Sequence, residues 1–284
     1  MKNRLSGFAA PYVIWMAVFV VIPIVIMAVY AFTTEELTAT LENFADMGGY
    51  LAVFTRSFYL ALVATAVCLL IGYPAAYVMA RWGARFQRLA MALIMLPMWM
   101  NFLLRTYSWM SILENNGLFN QLFRALGIIT LYNNITGQAV DHFQLIGTSG
   151  AVVLGMVYNY LPFMILPIYS VIVKLDGSLL EAARDLGAGT GNVFRRVVLP
   201  LSLPGVLSGV TMVFVSSVST FAISRLLGGG TQMMLGDLIE QQFLGGAYNP
   251  HLGAAIAMVM MVVVVVCMAV MNAFGDGEEE AVML

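Results

Sequence analysis

The chain has 284 residues, of which 61% are hydrophobic and only 10% charged, with a formal net charge of −2. Soluble domains carry roughly 25% charged residues, so this composition excludes a soluble globular protein and describes an integral membrane protein. Neither lysine, Lys2 or Lys174, ends a G-x-x-x-x-G-K sequence, which excludes a P-loop ATPase, and Cys68, Cys267, His142 and His251 form no metal-ligand spacing.

In chain order, the first apolar stretch covers 8–34. It begins with Lys2 and Arg4 as a signal peptide would, but its apolar core is too long and lacks a small-x-small cleavage site, so it reads as a retained span. Further stretches long enough to cross a bilayer, about 17–25 residues each, lie at 57–80, 89–113, 143–173, 201–224 and 252–275. The expected architecture is an all-α membrane protein with six transmembrane helices in a single domain, 1–284. Five of the stretches are free of charge, and 89–113 is interrupted only by Arg105, which is expected to snorkel toward headgroups. Between the third and fourth spans, Asn115-Asn116-Gly117, Gly127 and Asn133-Asn134 are turn formers around the apolar run 118–129, where a short surface helix is expected. Gly205 and Gly209 form a G-x-x-x-G at the start of the fifth span. The segment 225–251 combines three glycines with GDLIEQQFL and is expected to be a short helix or re-entrant element outside the core.

The one polar run between long apolar stretches, 174–200, has its own internal logic. Ser178 followed by Glu181 is a capping box, predicting a helix start at Ser178. Leu179, Ala182, Ala183 and Leu186 then recur at helical spacing as one apolar stripe, and Gly187 supplies the left-handed conformation that ends a helix. Asn192 is the expected cap of a second short helix, interrupted by Pro200 and Pro204. The stripe has no cover within its own loop and needs a partner surface, protein or bilayer.

Orientation follows from the cations. With six spans both termini lie on one side, and that side collects Lys2, Arg4, Arg81, Arg85, Arg88, Lys174, Arg184, Arg195 and Arg196, nine of the thirteen. The positive-inside rule then places both termini and the 174–200 loop in the cytoplasm. Proton- and sodium-driven carriers commonly place Asp, Glu or His within their spans. The five charge-free stretches carry no such acid, which disfavours an ion-coupled carrier or channel.

The loop contains E-A-A, three residues, Gly187, nine residues and V-x-L-P ending at Pro200, which resembles the EAA loop of ABC-importer permeases. The stretches at 96–120, 157–188 and 226–244, with the N-terminal PYVIWMAVFVVIPIVIMAVYAFT, resemble permeases of spermidine/putrescine importers over most of the chain. The resemblance implies a type I importer permease fold in the bacterial cytoplasmic membrane, moving polyamines inward by alternating access. It implies docking of a cytoplasmic ATPase on Glu181, Ala182, Ala183, Leu186 and Gly187. Its implied partners are a second homologous permease, two ATPase copies that bind ATP and Mg, and an extracytoplasmic polyamine-binding protein. No catalysis, cofactor, metal or nucleic acid is implied for this chain itself. Related importers for iron, thiamine or sulfate are the nearest alternatives. A polyamine fits aromatic faces by cation–π attraction and carboxylates by charge, so the candidate pathway residues are Trp99, Tyr107, Trp109, Glu114, Tyr158, Tyr160, Asp237 and Glu240. Where this family often has an acid just before the L-x-G-G stretch, this chain has Arg225.

Overall fold

The computed structural model describes residues 11–282, with side chains described for 11–271; the expectations for Lys2, Arg4 and both termini lie outside these residues. Among the described residues the protein is helical, and its β pairing is a single isolated bridge between Thr33 and Ala39. The helices long and apolar enough to cross a membrane are α1 (Pro11–Ala31), α2 (Leu51–Arg81), α7 (Ser149–Ile172) and α13 (Pro250–Val282). Two bent pairs reach the same length and apolarity. The first joins α3 (Ala84–Trp99) to α4 (Phe102–Leu113) and α5 (Leu118–Ala125) through a 93° break. The second joins α9 (Thr190–Leu201) to α10 (Leu203–Val218) through a 62° break. The remaining helices are α6 (Ile128–Thr136), α8 (Gly177–Asp185), α11 (Ala222–Leu227) and α12 (Leu235–Leu244).

Local chemistry explains the breaks. Pro97 lies near the end of α3, and Asn101 restarts the chain as α4 by accepting hydrogen bonds from the backbone N–H of Leu103 at 2.9 Å and of Leu104 at 3.4 Å. The stretch 89–113, expected as one uninterrupted span, is therefore two helices at a right angle. Thr148 caps α7 in the same way, accepting from Ala151 N–H at 3.2 Å, so the fourth apolar stretch becomes helical at Ser149 and not at 143. The expected helix at 118–129 is divided into α5 and α6 by Gly127, which sits at φ 71°.

The chain forms two compact units, one from the described parts of 1–54 with 238–266 and one from 55–237 with the described part of 267–284. In the smaller unit Ala31, Ala254 and Ala255 are buried against Met27, Phe44 and Met258. Asn43 donates to the carbonyls of Ala31 at 3.1 Å and Thr33 at 3.0 Å, and His251 stacks on Tyr30 with ring centroids 5.0 Å apart. Most of α1 is exposed.

The larger unit is organised on α7. One end of α7 contributes Ala151, Val152 and Met156 to a cluster with Leu60, Ala64, Leu113, Ile223, Leu227 and Met234. The other contributes Met164, Ile165, Ile168 and Ile172 to a cluster with Cys68, Ala76, Met79 and Val213. Between membrane helices there is no hydrophobic driving force of the kind found in water, so association depends on close van der Waals approach. Gly205 and Gly209 provide it: a β-carbon at Gly205 would stand 2.9 Å from the Pro167 carbonyl oxygen, and one at Gly209 3.1 Å from that of Met164. The G-x-x-x-G spacing is thus a packing face. The segment expected outside the core also packs inward, with Leu227, Met234, Leu235 and Leu238 fully buried, and Ile223 and Leu227 of α11 and Met234 just before α12 join the α7 cluster.

Filling that face should break it. Gly209→Val is expected to destabilise the protein by about 1–3 kcal/mol through overpacking. Gly189→Ala, where an added β-carbon meets nothing within 4 Å, should be near neutral. Thermal unfolding of the detergent-solubilised protein distinguishes the two, and equal midpoints would show that the glycine face carries no packing.

Candidate functional site

The five residues expected to dock an ATPase are brought together on α8 and its final turn. The helix starts at Gly177, one residue earlier than the S-x-x-E pattern predicts, because Asp176 takes the capping role. Its carboxylate accepts the Ser178 N–H at 2.9 Å. Ser178 therefore lies inside the helix, and the expected reciprocal cap with Glu181 gives way to an Asp176 cap. The second expected cap, Asn192, is replaced by Gly189, which precedes a helix beginning at Thr190. The hydrogen bond from Ser178 N–H holds the Asp176 carboxyl below the usual carboxylate range. A depressed value means that the cap is present above the ordinary carboxylate pKa and is lost as pH falls through the lowered one.

Gly187 ends α8 as expected. At φ 83° its N–H reaches the Arg184 carbonyl at 2.8 Å, and the Ala188 N–H reaches the Ala183 carbonyl at 3.1 Å, the paired bonds of a Schellman motif. Glu181, Ala182 and Arg184 are exposed, Ala183 is half-buried, and Leu186 is 89% exposed. The helix is held at both ends and leaves an apolar side chain uncovered between charged ones.

Its second arm, α9, is tied to α2 by aromatic contacts. Phe194 lies edge-on to Tyr73 at 5.7 Å and to Tyr77 at 5.1 Å, and the guanidinium of Arg81 lies 4.8 Å from the Tyr77 ring centroid. Each aromatic pair adds about 0.5–1.5 kcal/mol beyond area burial. Ser202, at the bend into α10, donates to the Leu199 carbonyl, leaving its oxygen 2.8 Å from the Tyr73 hydroxyl as acceptor.

At the far end of α7 an open cavity of about 510 Å³ is lined by Glu114, Asn115, Asn116, Gln144, Ile146, Gly147, Gly229 and Thr231. Its wall is a crossing of two loops. Gly147 N–H bonds to the Leu227 carbonyl at 2.8 Å, and the Gly147 carbonyl accepts from the Thr231 hydroxyl at 2.9 Å. Both Gly147 and Gly229 have positive φ, and a β-carbon on Gly229 would stand 3.3 Å from the Gly147 Cα. Asn120 Nδ2 donates to the Glu114 carbonyl at 3.2 Å, fixing the backbone from which the Glu114 side chain projects.

The eight residues expected along a pathway do not form one site. Glu114 is exposed and lines the cavity. Trp109 packs between Phe119 and Tyr158, and Tyr160 packs against both α7 clusters. Trp99, 82% exposed, and Tyr107 face outward. Asp237 is not a mouth acid: it is buried, accepting from the Ser224 hydroxyl at 2.5 Å and from Met234 N–H at 3.1 Å, so it fixes the start of α12. Glu240 is half-buried on α12. Arg105 does not snorkel. It is buried in α4, and its Nε and Nη1 have no hydrogen-bond partner among the described residues. The residues that sequence reasoning missed are Asn115, Asn116, Gln144, Gly147, Gly229 and Thr231; the Asn-Asn-Gly and Gly-Gly-Gly runs were their signal.

Residues 68–277 match the family described as "Binding-protein-dependent transport system inner membrane component". The chain is 37% identical to the spermidine/putrescine transport system permease protein PotB of Haemophilus influenzae, across 81% of this chain and 80% of that one. It is 34% identical to PotB of Escherichia coli, across 88% and 90%. Among solved structures, a bacterial ABC transporter importing the acidic polysaccharide alginate superposes with TM-score 0.75 at 17% identity, over 96% of this chain and 95% of that one. The MetNI methionine ABC transporter in an inward-facing conformation gives 0.55 at 20% identity, over 84% and 98%. These structures share the fold of the chain.

The ends of α8 are testable directly. Gly187→Val should strain the left-handed turn and speed tryptic cleavage after Arg184 several-fold. Asp176→Ala should raise amide exchange in the first turn of α8 at neutral pH, the difference from the parent vanishing once the pH drops below the lowered Asp176 value. A difference that persists at low pH would mean that the carboxylate is not the cap.

Proposed function

The chain belongs to the binding-protein-dependent transport system inner membrane component family, and on that premise we propose that it is the permease subunit of a polyamine importer. It is a multi-pass inner-membrane protein. The observation that carries the polyamine reading is the identity with the PotB permeases of 34–37% over four-fifths or more of each chain.

In this reading a second, homologous permease completes the transmembrane pathway, and two copies of a cytoplasmic ATPase bind ATP and Mg. An extracytoplasmic binding protein delivers spermidine or putrescine, and both termini face the cytoplasm. The exposed helix α8 is the docking element, with Leu186 entering the ATPase surface and Glu181 and Arg184 flanking it. ATP-driven movement of the ATPases displaces α8. Because Phe194 is wedged against Tyr73 and Tyr77, the displacement passes through α9 to α2 as well as along α10. The pathway between the subunits then opens alternately to the two sides of the membrane.

Glu181→Lys and Gly187→Pro should insert normally yet lower ATP-coupled spermidine uptake at least tenfold, equivalent to about 1.4 kcal/mol of barrier. The same variants should lose ATPase co-purification or uncouple hydrolysis. Full coupled transport in both would remove the docking assignment. Uptake by the reconstituted complex of some other solute, and of no polyamine, would remove the substrate.

Orientation has its own measurement. A cysteine at Asn134 should react with an impermeant thiol reagent added outside intact cells, and cysteines at Gly83 and Gly189 should not. Labelling at Gly189 from outside would invert the topology.

A further inference from the structure

The cavity at the Glu114 end of the protein has a composition that selects a ligand. Every lining side chain except Ile146 and the two glycines offers an oxygen: the Glu114 carboxylate, the amides of Asn115, Asn116 and Gln144, and the Thr231 hydroxyl. The Glu114 carboxylate has no hydrogen-bond or ion-pair partner among the described residues, and no lysine or arginine lines the space. Arg56 is not among the lining residues, and its Nη1 is engaged by the loop crossing, donating to the Thr231 carbonyl at 3.1 Å.

An anion finds one negative charge and no cationic donor here. A divalent metal requires several oxygen ligands at short, fixed distances, usually with more than one carboxylate, and a space of about 510 Å³ with a single acid does not supply them. A primary ammonium group matches better, because its three N–H donors can pair with one carboxylate and neutral carbonyls together. Tight small-molecule pockets are largely apolar and enclose most of the ligand. This one is open and polar, so it holds an amine weakly and releases it readily.

Its position completes the argument. The cavity and α8 lie at opposite ends of α7, whose 24 residues span about 36 Å. With α8 facing the ATPase, the cavity faces the side from which substrate arrives. We infer that the Glu114 cavity is a weak entry site for a primary-amine terminus of the transported polyamine, an inference that rests on the polyamine reading given above. The walls are fixed in advance by the Gly147–Gly229 crossing, so capture requires no rearrangement of the loops.

The test uses the assembled complex in membranes with Asn116→Cys as reporter, Cys68 being buried and Cys267 lying within α13. A trimethylammonium thiosulfonate should modify Asn116→Cys at least threefold faster than its sulfonate analogue. Free spermidine should slow that reaction about three- to tenfold. Both effects should disappear in Glu114→Gln and persist in Glu114→Asp. Unchanged protection in Glu114→Gln, or no modification in any background, overturns the site. Protection by the binding protein but not by free spermidine overturns it too, and makes the cavity a docking surface for that protein. Spermidine uptake by the parent complex is scored separately. Glu114-dependent protection without uptake leaves the amine site and removes the transport reading, whereas uptake without protection removes the site alone.

Discussion

The approach of α10 to α7 is the constraint on which the larger unit depends. In a membrane, apolar side chains gain little by leaving lipid for one another, so helices hold together where their backbones can come near. Gly205 and Gly209 let the α10 backbone rest on the carbonyls of Pro167 and Met164, and any side chain at either position would separate the pair. Once these two helices are fixed, the chain between them must turn within a short polar segment. That segment is α8 and α9.

The turn is accordingly stiff where it could have been slack. Asp176 closes one end of α8, the Gly187 turn closes the other, and Phe194 anchors α9 on the tyrosines of α2. A rigid element projecting from a rigid base transmits displacement, whereas a floppy loop would absorb it. The exposure of Leu186 is the cost of that arrangement for the isolated chain.

Much of this was legible in the sequence, for local reasons. The polar run among apolar stretches, the helical stripe from Leu179 to Leu186 and the terminating Gly187 are all decided by neighbours a few residues apart. The cap of α8 was misplaced because Asp176 and Ser178 are both competent caps two positions apart, and only the extended backbone at Asp176 chooses between them. Asp237 was misread for a different reason. GDLIEQQFL looks like a solvated amphipathic helix, but it is drawn inward by non-local bonds, Ser224 to Asp237 and Leu235 N–H to the Ser57 hydroxyl across 178 positions. The turn-forming runs that line the cavity were visible, but their convergence was not, because the lining comes from three separated segments. Arg105 was expected at the lipid surface because 89–113 was read as one span; Pro97 and Asn101 are the local signals for the 93° break before it, but they do not tell which way α4 then runs.

The crossing of Gly147 and Gly229 has a consequence for how this chain can vary. The two positions are 82 residues apart and belong to different loops, yet a β-carbon on Gly229 would stand 3.3 Å from the Gly147 Cα, whereas one on Gly147 would meet only an ordinary contact, 3.7 Å from the Thr231 hydroxyl oxygen. Each also holds a backbone conformation that L-residues seldom adopt. Two separate restraints therefore hold this wall, tight space at Gly229 and left-handed backbone at both positions, so an L side chain at either glycine strains the crossing for its own reason.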